Sequence, residues 1–151
     1  MKKKIALITF FILLIGQNVS SNTVYVIDAD TIKIGNEKIR FSGIDAPELN
    51  QDCFKNERKI LCGVLAKKAL SKKIGNKVPK CIIEGKDIYK RILAECFVNG
   101  DSLSKFLVRN GYAFAYRKYS KKFIEDEEFA RKNKLGLWSM RFEYPWKFRK
   151  L

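Results

Sequence analysis

The stretch RFSGIDAPE, residues 40–48, concentrates the chemical groups that distinguish this chain. Its first residues continue an alternating polar and apolar pattern, which predicts a strand that runs into a turn stiffened by Pro47. The strand carries the guanidinium of Arg40, and the turn brings the carboxylates of Asp45 and Glu48 into one short segment. Carboxylate oxygens are preferred ligands of hard cations, and a guanidinium binds phosphate with paired hydrogen bonds. The stretch therefore predicts a site that a cation and a phosphate share.

Two other segments add groups of the same kinds. Upstream, the sequence DADT at residues 28–31 supplies the carboxylates of Asp28 and Asp30. Downstream, the sequence DIYKR at residues 87–91 supplies the guanidinium of Arg91. The transition state of phosphodiester cleavage gathers negative charge on oxygen, which a divalent cation and two guanidinium groups can stabilise. We therefore interpret the three segments as parts of one phosphodiesterase site.

Composition and charge limit the function classes that remain. The chain has 151 residues, of which 46% are hydrophobic, enough to form the core of a single compact domain. Its formal net charge of +15 indicates a polyanionic partner, nucleic acid first and an anionic membrane surface second. The chain contains no histidine, which excludes every mechanism that needs an imidazole. A carboxylate-bound hard cation fits the remaining groups best.

Residues 1–21 have the pattern of a secretory signal peptide. Three lysines precede an apolar run over residues 5–15, and a polar region ends with Ser20 and Ser21. The run is shorter than the ~20 residues that a membrane-spanning helix needs, so we favour cleavage after Ser20 or Ser21 over an uncleaved anchor. We expect residues 22–151 to form the exported domain, periplasmic or secreted, without stable membrane insertion. This domain would keep a charge of +12, because the removed segment contains three lysines and no acidic residue.

Four cysteines occur in the expected exported domain, and none of them forms a Cys-x-x-Cys pair. With no histidine to complete a zinc site, an oxidising compartment favours two disulfides over four buried free thiols. Three pairings can be drawn. Residues 82–84 and 92–98 predict a hairpin that places Cys81 opposite Cys96, and opposed Cα atoms lie roughly 4.5 to 5.5 Å apart, which a disulfide tolerates. We therefore predict disulfides Cys81–Cys96 and Cys53–Cys62.

The hydrophobic periodicity predicts a mixture of strands and helices. Residues 24–27, 32–34 and 38–41 predict three strands in a meander. The predicted helices cover residues 56–74, with Leu61 on the apolar face, a segment capped by Asp101 that ends before Gly111, and a segment that starts near Glu125 and is stopped by Gly136.

These segments in this order resemble the staphylococcal nuclease-like (thermonuclease) family. The resemblance rests on VIDADT at residues 26–31, IRFSGIDAPE at 39–48, YKR at 89–91 and LVRNG at 107–111, and it covers about residues 24–138. The four cysteines and the ending FEYPWKFR at residues 142–149 further resemble the exported bacterial branch. The resemblance implies the α+β class and an OB-fold, a five-stranded Greek-key β-barrel with about three α-helices.

The resemblance also implies a calcium-dependent enzyme that cleaves DNA and RNA and leaves 3'-phosphates. One Ca²⁺ ion would be held by Asp30, Asp45 and the backbone carbonyl of Ala46, with Asp28 just behind these ligands. Glu48 would position or deprotonate the attacking water. The catalytic acid-base work would therefore fall to carboxylates, as the absence of histidine requires.

The remaining roles that the resemblance implies concern the substrate. Arg40 and Arg91 would hold the phosphate while charge develops, and Tyr89 and Tyr116 would contact the nucleotide. We expect a monomer that binds DNA and RNA, preferably single-stranded. Other classes of protein remain as alternatives: a non-catalytic nucleic-acid-binding OB module, which would lack the acids and arginines present here, and a basic secreted protein that adheres to anionic lipid.

Two positions depart from the family pattern. Ala29 and Lys90 stand where the family usually has glycine. An alanine costs little unless the backbone requires positive φ, where a Cβ is unfavourable. The extra charge of Lys90 would either contact phosphate or point to solvent. Neither substitution removes a group with a proposed catalytic role.

Overall fold

The structure is a computed structural model that describes residues 23–150 of the chain. The predicted signal peptide and its cleavage site lie outside these residues. The strands are β1 Val24–Val26, β2 Thr31–Ile34, β3 Glu37–Phe41, β4 Ile44–Asp45, β5 Asp52–Lys55, β6 Arg58–Leu61, β7 Lys80–Lys86, β8 Ile92–Val98, β9 Asp101–Ser102 and β10 Phe114–Ala115. The helices are α1 Cys62–Ile74, α2 Leu103–Arg109, α3 Ile124–Lys132 and α4 Pro145–Phe148, with a 3-10 helix at Gly136–Ser139. None of the helices in this range is both long and apolar enough to cross a membrane.

The main sheet has the strand order β1-β2-β3-β8-β7, with β9 paired to β8. The first three strands form the antiparallel meander that the sequence predicts. Strand β8 then runs parallel to β3, with Leu93 opposite Arg40, and pairs antiparallel with β7. Strand β7 therefore lies at the outer edge of the sheet, and β8, which follows it in the chain, lies between β7 and β3. This mixed arrangement confirms the predicted α+β class.

Two apolar clusters hold these elements together. The larger lies between the main sheet and helices α1 and α2, with Ile32, Phe41 and Leu107 almost completely buried. The smaller cluster contains Phe114 and Leu137 beside the Cys53–Cys62 disulfide. Aromatic and sulfur-containing residues that follow α3 pack on the smaller cluster, namely Trp138, Met140, Phe142, Tyr144 and Trp146. The segment after α3 is therefore packed on the smaller cluster rather than on the larger one.

The structure contains both disulfides expected from the sequence, Cys81–Cys96 and Cys53–Cys62. Cys81 and Cys96 are direct partners across the β7–β8 hairpin, as the strand pattern predicts. This bridge fixes the register of the hairpin whose turn leads into Arg91. A disulfide of this kind stabilises chiefly by restricting the unfolded chain.

The predicted start of the first helix at residue 56 is wrong. Residues 52–61 form the hairpin β5–β6, and α1 begins only at Cys62. The turn between these strands is made by Asn56 and Glu57, whose φ angles of 48° and 60° are incompatible with a right-handed helix. Leu61, expected on the buried helix face, is 45% exposed. Tertiary pairing in this hairpin overrides the helical periodicity.

The other helices are present with shifted ends. Ser102 rather than Asp101 caps α2, because its Oγ accepts a hydrogen bond from the backbone N–H of Lys105. Helix α3 ends at Lys132, and Gly136 begins the 3-10 helix instead of stopping α3. The short helix α4, which starts with a proline, was not predicted. The described residues thus contain four α-helices, where about three were expected.

Candidate active site

Arg40 lies at the centre of the candidate site and joins two buried carboxylates. Its Nη1 donates to Asp30 Oδ1 at 2.6 Å, and its Nη2 donates to Asp45 Oδ1 at 3.0 Å. Strand pairing explains the arrangement, since Arg40 is opposite Thr31 in β2 and Asp45 is held in β4 opposite Phe114. The side chain of Asp45 is fully buried and that of Asp30 is 5% exposed. The Arg40 guanidinium therefore joins, across the main sheet and the separate β4–β10 pair, three residues that the sequence analysis assigned to one site.

Asp30 accepts hydrogen bonds from the surrounding backbone and side chains. The N–H of Ala46 donates to Asp30 Oδ2 at 3.1 Å, and the N–H of Asp30 itself donates to Asp28 Oδ1 at 3.1 Å. Burial raises the pKa of Asp30 to about 7; Arg40 opposes this rise, while Asp28 and Asp45 add to it. Positive charge near this carboxyl would therefore favour its ionised form.

Glu48 meets the cluster through an arginine that the sequence analysis did not identify. The Nη1 of Arg149 donates to Glu48 Oε1 at 2.8 Å and to Asp45 Oδ1 at 3.3 Å, and its Nη2 donates to Asp45 Oδ2 at 2.7 Å. Burial disfavours the charge of Arg149, but its hydrogen bonds to the two carboxylates outweigh burial and raise its pKa. One sequence signal could have pointed to Arg149. It is a basic residue in the aromatic-rich segment that follows α3.

The turn that carries Glu48 is held from two sides. The N–H of Glu48 donates to the side-chain oxygen of Gln51, and the Nε2 of Gln51 donates to the carbonyl of Glu143 at 2.6 Å. Gln51 is completely buried. On the other side Gly63 approaches so closely that an added Cβ would overlap the carbonyl group of Glu48. The structure therefore fixes the backbone of Glu48 while its side chain stays 39% exposed.

Arg91 and Tyr89 form a second group at the β7–β8 turn. Asp87 organises this turn by accepting from the backbone N–H of Tyr89 and of Arg91, both at 2.9 Å, and from Arg91 Nε at 2.6 Å. Burial opposes ionisation of Asp87, but its hydrogen bonds to Arg91 prevail and lower its pKa. The Arg91 guanidinium lies 5.5 Å from the centroid of the Tyr89 ring, which is exposed.

The strand register relates this turn to the carboxylate cluster. Arg91 immediately precedes Ile92, which lies opposite Ile39, the neighbour of Arg40. Within residues 23–150, no ion pair joins Arg91 to Asp30, Asp45 or Glu48. Arg40 thus lies in β3 and Arg91 in the turn that leads into the adjacent strand β8, with the Arg91 side chain bonded to Asp87 rather than to the cluster.

Tyr116 lines a cleft beside Arg149. The cleft has a volume of about 750 Å³, and its wall includes Trp146, whose ring is inclined by 10° to that of Tyr116 with 6.3 Å between centroids. Tyr119 contacts the Tyr116 ring edge to face at 4.8 Å. Four basic residues besides Arg149 line the same cleft, Arg117, Lys118, Arg131 and Lys150. Aromatic faces among cations suit a nucleotide.

The donor groups and the formal charge of the cluster determine whether it could hold calcium. Within residues 23–150, no group of three or more His, Cys, Asp or Glu side chains is arranged to hold a metal ion. The carboxylates of Asp30 and Asp45 are nevertheless the oxygen donors that Ca²⁺ prefers, and backbone carbonyls and water commonly complete its ligands. Four carboxylates and two guanidinium groups form the cluster: Asp28, Asp30, Asp45, Glu48, Arg40 and Arg149. Their formal charges leave −2, which one divalent cation would neutralise, so the residues fit the ion in chemistry and charge.

Comparison with known proteins places the chain in a family. The model of a family described as "Staphylococcal nuclease homologue" matches residues 38–140, which contain Arg40, Asp45, Glu48 and Arg91. The chain belongs to the staphylococcal nuclease family. Its fold is therefore the OB-fold that the sequence resemblance implied. The matched residues end at residue 140, before Arg149.

Curated relatives of the staphylococcal nuclease family agree with this assignment. An "Uncharacterized endonuclease" of Haemophilus influenzae is 31% identical over 89% of this chain and 76% of its own length. The "Succinoglycan biosynthesis protein ExoI" of Rhizobium meliloti is 31% identical over 79% of this chain and 64% of its own. The "Probable staphylococcal-like nuclease CAN4" of Oryza sativa subsp. japonica is 29% identical over 75% of this chain but only 22% of its own. The chain thus spans less than two thirds of the length of two of these relatives, and the names of two of the three are those of nucleases.

The two departures from the nuclease family pattern have different structural consequences. Ala29 is fully buried, and it is not among the non-glycine residues of positive φ within residues 23–150. Its Cβ therefore carries no backbone penalty. Lys90 has a φ of 62°, the left-handed region that favours glycine, so the lysine costs about 1 kcal/mol in this turn. Its side chain is exposed.

Proposed function

We propose that the chain is a calcium-dependent nuclease that hydrolyses phosphodiester bonds of DNA and RNA and leaves 3'-phosphates. The observation that carries this proposal is the Arg40 guanidinium shared by the buried carboxylates of Asp30 and Asp45, with the partly exposed Glu48 at the edge of the same cluster. Buried acids whose charge is only partly compensated are typical of a site that binds a cation.

The proposed metal ligands are Asp30, Asp45 and the backbone carbonyl of Ala46. Asp28 would support them, since it holds the N–H of Asp30. When bound, calcium supplies positive charge next to the phosphate oxygens, where the transition state becomes more negative. Burial and hydrogen bonds hold the carboxylates of Asp30 and Asp45 in place.

Glu48 is the proposed general base or water-positioning group. Its carboxylate is 39% exposed, so water can reach it, while its backbone is fixed through Gln51. It would accept the proton of the attacking water as the new bond to phosphorus forms. The bond between phosphorus and the 5'-oxygen breaks with its electron pair on that oxygen, which would take a proton from solvent water, so the phosphate remains on the 3' side.

Arg40 and Arg91 are the proposed phosphate-binding residues. Arg91 uses Nε for Asp87, which leaves its two terminal nitrogens for a phosphate. Arg40 already contacts Asp30 and Asp45, so a phosphate beside it would also lie beside the proposed metal ligands. Two planar guanidinium groups suit the equatorial oxygens of the transition state better than lysines would.

The substrate is proposed to be single-stranded DNA or RNA bound largely without regard to sequence. The cleft lined by Tyr116 and Trp146 offers aromatic faces for bases, and the exposed Tyr89 offers another near Arg91. A duplex would have to open before its bases could stack on these rings. We further propose that the protein acts as an exported monomer after removal of residues 1–21; the two disulfides support export to an oxidising compartment.

Hydrolysis of a labelled single-stranded oligonucleotide tests this function. We expect cleavage with calcium, loss of cleavage with EGTA, and 3'-phosphate ends in the products by mass spectrometry. Binding without cleavage at any calcium concentration would instead support the non-catalytic OB module. Preferential binding to anionic vesicles over the oligonucleotide would support the lipid-adhesion alternative.

A further inference from the structure

Arg149 makes three hydrogen bonds to two carboxylates of the candidate active site. It contacts both oxygens of Asp45, and its Nη1 bridges Asp45 and Glu48. Asp45 is a proposed metal ligand and Glu48 the proposed base, so a single guanidinium joins the two chemical roles. We propose that Arg149 is a positioning residue that sets Glu48 relative to Asp45; this inference rests on the proposed nuclease function.

The segment that carries Arg149 is fixed at several points. The backbones of Phe54 and Arg141 exchange hydrogen bonds of 2.8 and 2.9 Å, and the carbonyl of Glu143 accepts from the buried Gln51. Trp146, three residues before Arg149, stacks on Tyr144 with ring centroids 4.6 Å apart. Arg149 caps the C-terminus of α4, which lies in this anchored segment. Tertiary packing therefore positions the Arg149 guanidinium at Asp45.

Gln51 gives the arrangement a second connection. It contacts the backbone of Glu48 and the backbone of Glu143, six residues before Arg149. The backbone of Glu48 is thus tied to the C-terminal residues through Gln51, and its side chain is tied to them through Arg149. Two independent contacts from one segment restrict both the position and the rotamer of Glu48.

A positioning role of Arg149 agrees with the formal charge of the cluster and with the number of acceptor positions on the Asp45 carboxylate. The cluster has a formal charge of −2 with Arg149 and would have −3 without it, so Arg149 completes the balance for one divalent cation. Asp45 Oδ2 accepts from Arg149 Nη2, and a carboxylate oxygen has two acceptor positions, so a cation and Arg149 can share this carboxylate. A guanidinium that merely blocked the site would have to leave Asp45 before a cation bound.

Three variants separate positioning from charge and from folding. Arg149→Ala removes the guanidinium, and Arg149→Lys keeps the positive charge but cannot bind two carboxylates with the same planar fork. Lys147→Ala is the matched control, because it removes one positive charge from the same helix and its own ion pair is with the exposed Glu143. Each variant is measured for kcat, KM, calcium affinity by titration calorimetry, and Tm.

We expect kcat of Arg149→Ala to fall by about 10²-fold, because loss of orientation of a catalytic group by about 1 Å has an effect of that size. KM should change by less than about threefold, and calcium affinity should stay equal or increase, since a positive charge has been removed beside Asp45. Arg149→Lys should recover little of kcat, whereas Lys147→Ala should match the unmodified protein in all four measurements.

Three results would contradict the inference. Unchanged or increased kcat in Arg149→Ala would show that the arginine is neutral or blocks the site. A parallel loss of calcium affinity and kcat would show that it acts through the metal ligands alone. Full recovery in Arg149→Lys would show that charge suffices. If instead the unmodified protein cleaves no oligonucleotide with calcium, the proposed nuclease function fails, which this series distinguishes from a failure of the Arg149 role alone.

Discussion

Phe54 and Arg141 pair as an isolated antiparallel bridge, with both backbone hydrogen bonds formed. Phe54 directly follows Cys53, whose disulfide to Cys62 closes the β5–β6 hairpin. The bridge therefore connects a covalently closed hairpin to the chain end that carries Arg149. This connection makes the disulfide relevant to the active site as well as to stability.

Replacing Cys53 and Cys62 together by serine should lower the free energy of unfolding by about 2 to 3 kcal/mol, as expected for a short closed loop. It should also increase hydrogen exchange at the backbone of Arg141, because the hairpin that holds this residue is loosened. Chemical denaturation and exchange mass spectrometry measure the two effects. As a control, the Cys81 and Cys96 double replacement should leave exchange at Arg141 unchanged; equal protection in both variants would contradict the connection.

Gly63→Ala should reduce turnover without removing a chemical group. An added Cβ overlaps the carbonyl of Glu48, so either the helix or the Glu48 turn must move, at a cost of about 1 to 3 kcal/mol. We expect kcat to fall while calcium affinity is retained. Ser71→Ala, at an exposed position of the same helix, serves as the control. A Gly63→Ala enzyme with normal kcat and normal Tm would refute the close approach.

Arg91→Ala should lower kcat by about 10² to 10³-fold, the usual effect of losing one donor to a developing charge. Arg91→Lys should restore little, because an ammonium cannot reproduce the two-nitrogen contact. Lys86→Ala removes a charge from the same hairpin at an exposed position and provides the comparison. If Arg91→Ala and Lys86→Ala give similar small effects, Arg91 contributes only general attraction.

Oligonucleotide affinity should fall at least about tenfold between roughly 50 and 200 mM salt, because lysines and arginines release counterions when they contact phosphates. Tyr116→Ala should weaken binding by about 1 to 3 kcal/mol at every salt concentration, since stacking does not depend on counterions. Fluorescence anisotropy with a single-stranded probe gives both values. Affinity that does not vary with salt would contradict the ionic contribution. An effect of Tyr116→Ala that occurs only at low salt would contradict the stacking contribution.

Local pattern predicted those parts of the fold in which neighbouring residues determine the structure. Strands β1 to β3 and the β7–β8 hairpin follow from alternation and turn residues, and the Cys81–Cys96 pair follows from their register. The β5–β6 hairpin was missed because residues 56–61 also fit a helical period and its turn uses Asn56 and Glu57 instead of glycine. Arg149 was missed because its contact with Asp45 joins residues 104 positions apart, which no local pattern contains.

The structure brings together some of the residues that the sequence analysis assigned to the site, but not all of them. Asp30 and Arg40 come together because β2 and β3 of the predicted meander pair, which places Arg40 opposite Thr31. Asp45 follows Arg40 by five positions and lies in β4, which pairs with β10. The partners of Arg91 could not be predicted in this way, since the side chain is directed by Asp87 in the turn. The metal ligands and catalytic roles remain proposals that depend on the chemistry of these groups.

Turnover of Glu48→Gln, measured together with oligonucleotide affinity in the presence of calcium, tests the central proposal most directly. The substitution keeps the shape of the side chain but removes its basicity and charge. We predict that kcat falls by at least about 10²-fold, while the oligonucleotide binds as tightly as before or more tightly because repulsion of the phosphate is relieved. Near-normal kcat in Glu48→Gln would contradict the mechanism and would favour a nucleic-acid-binding module instead.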